Sequence, residues 1–454
     1  MLSREAVVAA NRFGLGARPA EVASIASDPR KWLRAQIASA AEGATLPAPL
    51  RDLEPATSHT EALFRARIAA EGGDLDVVNE TMARERMRPA ALAEMAALFR
   101  AQVVTDAPFV ERWSMFWANH FTVGARLPIL GATAGGFERE AIRPHLFGRF
   151  GDMLAATVRH PAMLIYLDNV NSVGVSSPVA LRFPVGMTEN HAREILELHT
   201  VSRASGYGQE DVVALARILT GWTFGRTATD GCKPGHFCFI PQRHEPGTPI
   251  LLGRTFWQSN MAQGEAALAM LAEHPSTARH IATKLVRHFV ADDPPEGAVA
   301  ALAETFASSG GDLRRLAERL IDLPEAWSAD PASRKLRTPR EWLIAAARLL
   351  GLDVQPGPLW QMLQAMGQAP FSAPSPAGWA DRAEAWLASD ALRQRLDLAY
   401  ALAERSPPGP NLAVLLDAAL GEAAGPATRR AVLGAESAPQ ALAMLLASPE
   451  FQWR

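Results

Sequence analysis

The stretch from Thr188 to Trp222 organises this chain more than any other. It reads as two adjacent helical segments with apolar residues at helical spacing, joined by a turn that Gly206 and Gly208 mark. Three carboxylates and two imidazoles of the first segment and its flanks lie within this short span. Nowhere else does the sequence gather so many groups able to do chemistry, so we expect the candidate site here.

The composition of the rest of the chain predicts helix nearly everywhere. Alanine, leucine and arginine dominate, runs of β-branched residues are few, and 48% of the residues are hydrophobic, enough for a large core. The helical pattern stops after Trp222, and strand-like pieces follow at Phe237–Ile240 and Ile250–Leu252 among glycines and prolines. We therefore predict an all-α protein, a large multi-helix globular protein with one long loop that can carry a short β-hairpin.

The length of 454 residues allows more than one domain. We predict a helical core domain over residues 1–325, with a loop or hairpin insertion at about 223–257. A carboxy-terminal helical region over 326–454 is expected to pack on that core, after a linker rich in proline and small residues. No fixed-period repeat is evident, which argues against a solenoid.

Charge and hydropathy restrict the partners and the compartment. The formal net charge of -3 argues against nucleic-acid binding by charge alone. No apolar run approaches the roughly 18–20 residues of a membrane span. The amino terminus lacks a basic segment followed by an apolar one, so we expect no signal peptide and a cytoplasmic protein.

Both cysteines of the chain, Cys232 and Cys238, fall in one loop. The Cys-x5-Cys spacing fits no common zinc framework, although His236 between them keeps metal binding open. Two free thiols are the first expectation. A small-loop disulfide is the second, and it would contradict a reducing compartment.

The helix from Glu189 to Ser202 carries the candidate acid–base groups. His199 falls on the apolar arc of the helical wheel, while Glu194 and Glu197 stand on a different face. The glutamates are one turn apart, about 5–6 Å between neighbouring Cβ atoms. If buried, they must share a proton, bind a cation or recruit an arginine. The alternative is a solvated face that Arg193 and Arg217 neutralise.

A second helix, Phe109 to Phe121, carries an aromatic stripe that contains His120. Such a stripe is first of all core. A histidine within it must be neutral with a hydrogen-bonded partner, or must coordinate something. The helix at Glu189–Ser202 has neither the HExxH zinc spacing nor the Glu-x-x-His di-iron spacing, so a metal would need ligands from several segments.

Three further places hold candidate polar groups. Asp168 ends an apolar helix, where the helix dipole disfavours an acid, although an ordinary Asx turn explains it as well. His244 lies at the tip of the long loop. The helix from Ser276 to Ala291 has a basic half that can be a solvated surface, can face the glutamates, or can hold an anionic substrate.

Several stretches together resemble one bacterial family. They are RFGLGARP (Arg12–Pro19), FWANHF (Phe116–Phe121), HPAMLIYLDN (His160–Asn169), ENHAREILELHT (Glu189–Thr200) and QEDVVALARILTGW (Gln209–Trp222), with the segment after His244. In order and spacing they are similar to the domain-of-unknown-function 1800 family over nearly the whole chain. Thr188, Glu245 and Pro249 stand where that family usually has asparagine, aspartate and lysine.

What the resemblance implies is a helical protein without an assigned activity. Many members are exported, and many are encoded near a sulfatase-like family, which makes a sulfatase-like protein a candidate partner. The amino terminus of this chain departs from the exported pattern.

We favour a metal-assisted hydrolase with a Glu/His site between the two helices, because carboxylate and imidazole groups together suit a divalent metal and water activation. The candidate catalytic residues are Glu194, Glu197, His199 and His120. The candidate substrate- or anion-binding residues are Arg193, Arg279, Lys284, Arg287 and His244. The candidate metal ligands are His120, Glu194, His199 and Asp168. The alternative is a non-catalytic helical binding or assembly protein, in which a buried polar network fixes helix register.

Overall fold

The computed structural model describes residues 1–43, 46–70, 73–226, 231–328, 333–406 and 411–454. It confirms the all-α class, since helices account for most of the described chain. The helices up to the long loop are α1 (Arg4–Val8), α2 (Val22–Ser27), α3 (Pro29–Ala41), α4 (Ala56–Ala69), α5 (Leu75–Met82), α6 (Arg88–Val104), α7 (Pro108–His120), α8 (Pro128–Phe137), α9 (Phe150–Arg159), α10 (Pro161–Tyr166), α11 (Asn190–Glu194) and α12 (Gln209–Leu219).

Helices resume after the long loop. These are α13 (Met261–Glu273), α14 (Pro275–Phe289), α15 (Glu296–Ser308), α16 (Leu313–Asp322), α17 (Pro339–Leu350), α18 (Pro356–Ala365), α19 (Ser389–Glu404), α20 (Leu412–Ala419), α21 (Pro426–Leu433), α22 (Ala438–Ala447) and α23 (Pro449–Gln452). Wider π-helical turns extend four of the earlier helices at Ala9–Phe13, Ala83–Met87, Glu138–Ile142 and Ile195–His199.

The long loop forms two small antiparallel sheets. Strand β1 (Trp222–Phe224) pairs with β2 (Phe237–Phe239), and β3 (Ile250–Leu251) pairs with β4 (Arg254–Thr255). The two strand-like pieces expected from the sequence are therefore both strands, but they pair with other segments rather than with each other. Residues 227–230 of this loop lie outside the described residues.

The aromatic stripe of α7 lies at the centre of the larger core. Trp113 and Phe289 of α14 approach to 6.0 Å between ring centroids, and Phe116 and Trp117 to 4.9 Å. The prediction that this stripe is core is confirmed, since all four side chains are buried. Helices α7 and α14 are thus fixed against each other by aromatic packing.

A second apolar cluster gathers the helices after residue 338. It also includes Leu15 and three residues of α6, namely Met95, Phe99 and Val103. The carboxy-terminal helices therefore bury their apolar faces partly on elements from the first hundred residues. A division of the chain near residue 325 stays a prediction.

A buried carboxylate joins α7, α17 and the last residue of the described chain. Glu341 at the start of α17 accepts from Arg112 of α7 at 2.5 Å and from Arg454 at 3.2 Å. Burial alone would raise the pKa of Glu341, but the two guanidinium groups hold this pKa well below its usual value. The carboxylate is therefore charged inside the protein, where it neutralises one arginine of α7 and the last residue of the described chain.

Substitution by alanine at two helical glycines should change the free energy of unfolding in opposite directions. Gly264 of α13 is buried against Trp222, and a Cβ there would overlap the indole ring. We expect Gly264→Ala to lower the free energy of unfolding by about 1–3 kcal/mol because the core cannot accept the extra atom. Gly297 of α15 is exposed, and its Cβ would meet only Glu325 Oε1 at 3.7 Å.

Gly297→Ala is the matched control. Because Gly297 is the second residue of α15, we expect this substitution to stabilise the protein by at most the roughly 0.5–1 kcal/mol that holds for a helix interior. Urea denaturation of both variants measures the difference. Equal effects of the two substitutions would contradict the packing of α13 on Trp222.

Candidate functional site

Helix α7 and the turn after α11 meet through His120. This side chain is 1% exposed, and its Nε2 lies 3.2 Å from the carbonyl oxygen of His199. His199 closes the π-helical turn that extends α11. Two helices far apart in the sequence thus bring their imidazoles together, with ring centroids 6.0 Å apart.

Two more histidines, buried His191 and half-buried His280, complete an imidazole cluster that consists of His120, His191, His199 and His280. His280 of α14 lies 6.2 Å from His120 between centroids and donates from Nε2 to the carbonyl oxygen of Leu198 at 2.9 Å. Within the described chain, neither ring nitrogen of His191 or His199 has a hydrogen-bond partner. Polar atoms of this kind are rare in folded proteins.

Burial keeps these imidazoles neutral. It lowers the pKa of His191 to about 3 and that of His280 to about 4, and it sets the pKa of His120 and His199 well below 6.5. The positive charge of Lys284 acts in the same direction on three of them. The cluster is therefore uncharged at neutral pH.

The acidic residues of the same segment lie apart from the imidazoles. Glu197 pairs with Arg203 at 2.8 Å and accepts from the Tyr207 hydroxyl at 3.3 Å. Glu194 has no hydrogen bond or ion pair with any described residue. Its pKa is raised, mainly by burial and to a smaller extent by the negative charge of Glu197. The carboxylates and imidazoles thus occupy different faces, as the helical wheel indicates.

Arg193 forms its ion pair with Glu189 at 2.8 Å and donates to Gln209 at 3.1 Å, but its charge also lowers the pKa of Glu194. The arginine that forms an ion pair with Glu197 is Arg203, which the sequence analysis did not nominate. Arg203 follows the end of the π-helical turn, where a helical wheel no longer predicts the direction of a side chain.

The candidate metal ligands do not form a centre. Asp168, which has a left-handed backbone conformation, accepts from the side-chain amide of Asn171 at 2.7 Å. In the described part of the chain, no group of three or more His, Cys, Asp or Glu side chains is arranged to hold a metal ion. The geometry therefore does not support the set of His120, Glu194, His199 and Asp168 as ligands.

The candidate anion-binding residues are dispersed. His244 is buried with Nδ1 3.0 Å from the carbonyl oxygen of Thr220, and exposed Arg279 pairs with Glu296 at 2.9 Å. Arg287 is half-buried and donates weakly to the carbonyl of Asp292 at 3.4 Å. The positive charges of Lys284 and Arg287 both lower the pKa of His280, and burial lowers the pKa of Lys284 itself to about 8. A role in binding stays a prediction for each of them.

The expectation of two free thiols is wrong, because Cys232 and Cys238 form a disulfide. Their Cα atoms are 5.9 Å apart, within the range that a disulfide spans. Disulfides persist mainly in oxidising compartments. The cytoplasmic compartment stays a prediction. No helix in the described ranges is both long enough and apolar enough to cross a membrane.

The strongest acid–base geometry lies one helical turn beyond Lys284, at His288. Its Nδ1 lies 2.8 Å from Asp381 Oδ1, and its Nε2 has no partner among the described residues. The side chain is buried, with 7% of the residue exposed. The sequence analysis counted His288 only as part of the basic face of α14, and nothing local links it to a carboxylate 93 residues later.

The protonation states of this pair follow from its surroundings. Burial lowers the pKa of His288 more than Asp381 raises it. Burial would raise the pKa of Asp381, but His288 and Lys335 hold it below its usual value. At neutral pH a charged Asp381 therefore accepts from Nδ1–H of a neutral imidazole, which leaves the Nε2 lone pair free.

His288 and Asp381 line a cavity of about 120 Å³ between α7, α8 and the start of α17. The other polar groups on its wall are Asn119, Thr122, Glu138, Thr338, Arg340, Glu341 and Gln368. Arg340 forms no ion pair with any residue that the structure describes, and it donates to Gln102 Oε1 at 3.0 Å. The volume suffices for several water molecules or a small organic group.

The fold and the cavity define a large helical protein that holds a buried histidine–aspartate pair at the junction of its two apolar clusters. The model of the family described as "Protein of unknown function (DUF1800)" matches residues 8–453. The chain belongs to this family, which confirms the resemblance. Neither a curated protein nor a solved structure matches it.

The imidazole cluster predicts loss of stability in acid. A histidine whose folded pKa lies below its unfolded value stabilises the fold fully above the unfolded pKa of 6.5, and loses that contribution as pH falls. For His191 alone, with a folded pKa of about 3, the loss should reach about 2 kcal/mol by pH 5.

Urea denaturation at pH 7.5 and pH 5.0 measures this dependence. His191→Leu should make the free energy of unfolding less sensitive to pH, because it removes one of the groups that must be protonated. His145→Leu, at a half-buried site outside the cluster, is the comparison: burial lowers the pKa of His145 as well, so this variant should reduce the pH sensitivity, but by less than His191→Leu does. An unchanged pH dependence in His191→Leu would show that His191 does not titrate as its burial requires.

Proposed function

We propose that the protein is a hydrolase-type enzyme in which His288 acts as general base and Asp381 orients it. The observation that carries the proposal is His288, a side chain that lines a cavity, with Nδ1 held by a carboxylate and a buried Nε2 that has no partner among the described residues. A base must be unprotonated at working pH and within reach of the proton it removes. The lowered pKa of His288 meets the first requirement.

The proposed step is the activation of water. Nε2 takes a proton from a water molecule in the cavity, and the water oxygen forms a bond to the acyl or phosphoryl centre of an ester. The ester bond breaks, and the leaving oxygen takes the proton back from Nε2. Asp381 stabilises the imidazolium that forms between these events, as a carboxylate on Nδ1–H does in other histidine-based sites.

Arg340 is the residue best placed to hold the substrate. It lines the same cavity, and its guanidinium has no carboxylate partner among the described residues. Arginine offers planar donors to a carboxylate or phosphoryl oxygen. We assign it to binding the oxygen on which negative charge develops.

A binding or assembly role is the second candidate, and the buried ion pairs favour it. Arg143 pairs with Glu111 and Glu138 at 2.7 and 2.8 Å, and Glu341 holds Arg112 and Arg454. A network of this kind fixes helix register without any catalytic step. It does not account for the free Nε2 of His288, which is why we place the enzyme first.

The test compares His288→Gln and Asp381→Asn with the wild-type chain on p-nitrophenyl acetate and p-nitrophenyl phosphate. We expect His288→Gln to lower the hydrolysis rate of the accepted ester by about 10²–10⁴, the usual contribution of a general base. The wild-type rate should rise with pH through a pKa below 6.5 and level off by neutral pH, because only the neutral imidazole is a base.

His145→Gln is the control for a histidine that does not line the cavity. Circular dichroism should show that all variants keep the helical fold. Wild-type rates no higher than those of folded His288→Gln on both esters would contradict the enzyme proposal and favour the assembly role.

A further inference from the structure

A second cavity, of about 90 Å³, lies where the two ends of the chain meet. We call it the arginine cavity. Helix α1 and its π-helical turn form one side, and the last residues of the chain form another. Its lining residues are Arg4, Val7, Val8, Asn11, Arg12, Ser328, Arg334, Leu420, Ala423, Glu450, Trp453 and Arg454.

Two guanidinium groups on its wall are almost fully buried. Arg12 is 2% exposed and donates to the carbonyl oxygens of Ala326 and Ser333 at 2.7 and 2.8 Å. Arg454 is 8% exposed and donates to Glu341 and to the carbonyl oxygen of His288. Each keeps one nitrogen without a partner in the described chain, Nε of Arg12 and Nη1 of Arg454.

The charge of Arg12 is not neutralised by any carboxylate of the described residues. Burial lowers its pKa to about 10, and the charges of Arg454 and Arg334 lower it in the same direction. It is still protonated at neutral pH. A buried cation whose partners are only carbonyl oxygens is costly, and the cost falls when an anion approaches.

The other charges around the arginine cavity add to this excess. Arg4 and Arg334 are exposed at its rim, and neither side chain has an ion pair within the described ranges. The single acid, Glu450, accepts from Gly425 N–H at 3.0 Å and from the Thr428 hydroxyl at 2.8 Å. Four arginines thus face one carboxylate that is already hydrogen-bonded.

The rest of the wall is apolar. Val7, Val8, Leu420, Ala423 and Trp453 line it. A phosphate ion, polar on all sides, would lose hydration against these side chains without gaining a hydrogen bond. A carboxylate with a short hydrocarbon body matches both parts of the wall, since its oxygens fit the guanidinium donors and its carbons fit the apolar side.

We propose that the arginine cavity binds a small aliphatic monocarboxylate, with Arg12 and Arg454 on the carboxylate and the valines on its carbon chain. This site uses none of the groups assigned to the chemistry of His288, so it goes beyond the hydrolase proposal. His288→Gln should therefore keep the binding.

Isothermal titration of the full chain with butanoate tests the proposal, with butanamide as the neutral probe of the same shape and inorganic phosphate as the polar anion. We expect saturable binding of butanoate and much weaker binding of the other two. Arg12 holds two backbone carbonyls, so its substitution can disturb the fold. The variants are therefore Arg334→Gln at the exposed rim and Ala423→Leu, which fills the half-buried wall.

Arg334→Gln should weaken butanoate binding about 3- to 10-fold, as the loss of one exposed charged contact does. Ala423→Leu should abolish it. Arg217→Gln removes the same charge from an exposed site on α12 and should leave the affinity unchanged. The proposal is overturned by no binding to wild type, by equal binding of butanamide or phosphate, by equal losses in Arg334→Gln and Arg217→Gln, or by unchanged binding in Ala423→Leu.

Discussion

The buried carboxylate of Glu341 is the interaction on which the rest of this structure depends. It lies between Arg112 of α7 and Arg454, the last residue of the described chain, at 2.5 and 3.2 Å. Replacing a buried pair by apolar groups can be neutral, but removing one partner leaves uncompensated buried charge at a cost of about 3–5 kcal/mol. Without Glu341, two buried guanidinium groups would lose their common counter-ion. The contact therefore holds α7, α17 and the last described residues in one arrangement, and Glu341 itself lines the cavity of His288.

Helix α14 connects the parts of the molecule that carry chemistry. His280, Lys284 and His288 recur every four residues and so lie along one line of the helix. At one end of that line, His280 contacts the carbonyl of Leu198 beside the imidazole cluster; at the other, His288 meets Asp381. The opposite face is pinned by the aromatic core through Phe289. The apolar face of α14 thus positions His280, Lys284 and His288, and burial lowers the pKa of each of these three side chains.

The sequence was a good guide wherever local chemistry decides. Ser3, Asp28 and Thr338 each cap the helix that follows them, and Thr338 forms a capping box with Glu341, because such caps are written within a few residues. The aromatic stripe of α7 could be predicted for the same reason, because its residues recur at helical spacing within one short segment. The meeting of His120 with His199 agrees with the expectation that the two helices converge.

What could not be predicted depends on contacts between distant segments or on irregular backbone. The π-helical turn at Ile195–His199 changes the angular spacing that a regular wheel assumes, and Arg203 after it reaches Glu197 in place of Arg193. Strand pairing in the long loop could not be predicted, because the periodicity of a segment does not indicate which other segment it pairs with. Asp381 follows a proline- and glycine-rich stretch with no helical pattern, so nothing in the sequence brings it to His288.

Arg454 links the two cavities electrostatically. It donates to Glu341 and to the carbonyl of His288, and the same side chain belongs to a residue that lines the arginine cavity. Its positive charge lowers the pKa of His288, whereas Glu341 raises it. An anion beside Arg454 would offset part of that positive charge, so the pKa of His288 would rise toward neutrality. A base with a higher pKa accepts a proton more strongly but is unprotonated over a narrower range of pH. Occupancy of the arginine cavity would therefore shift the pH range over which His288 can act, without any movement of the helices between the two sites.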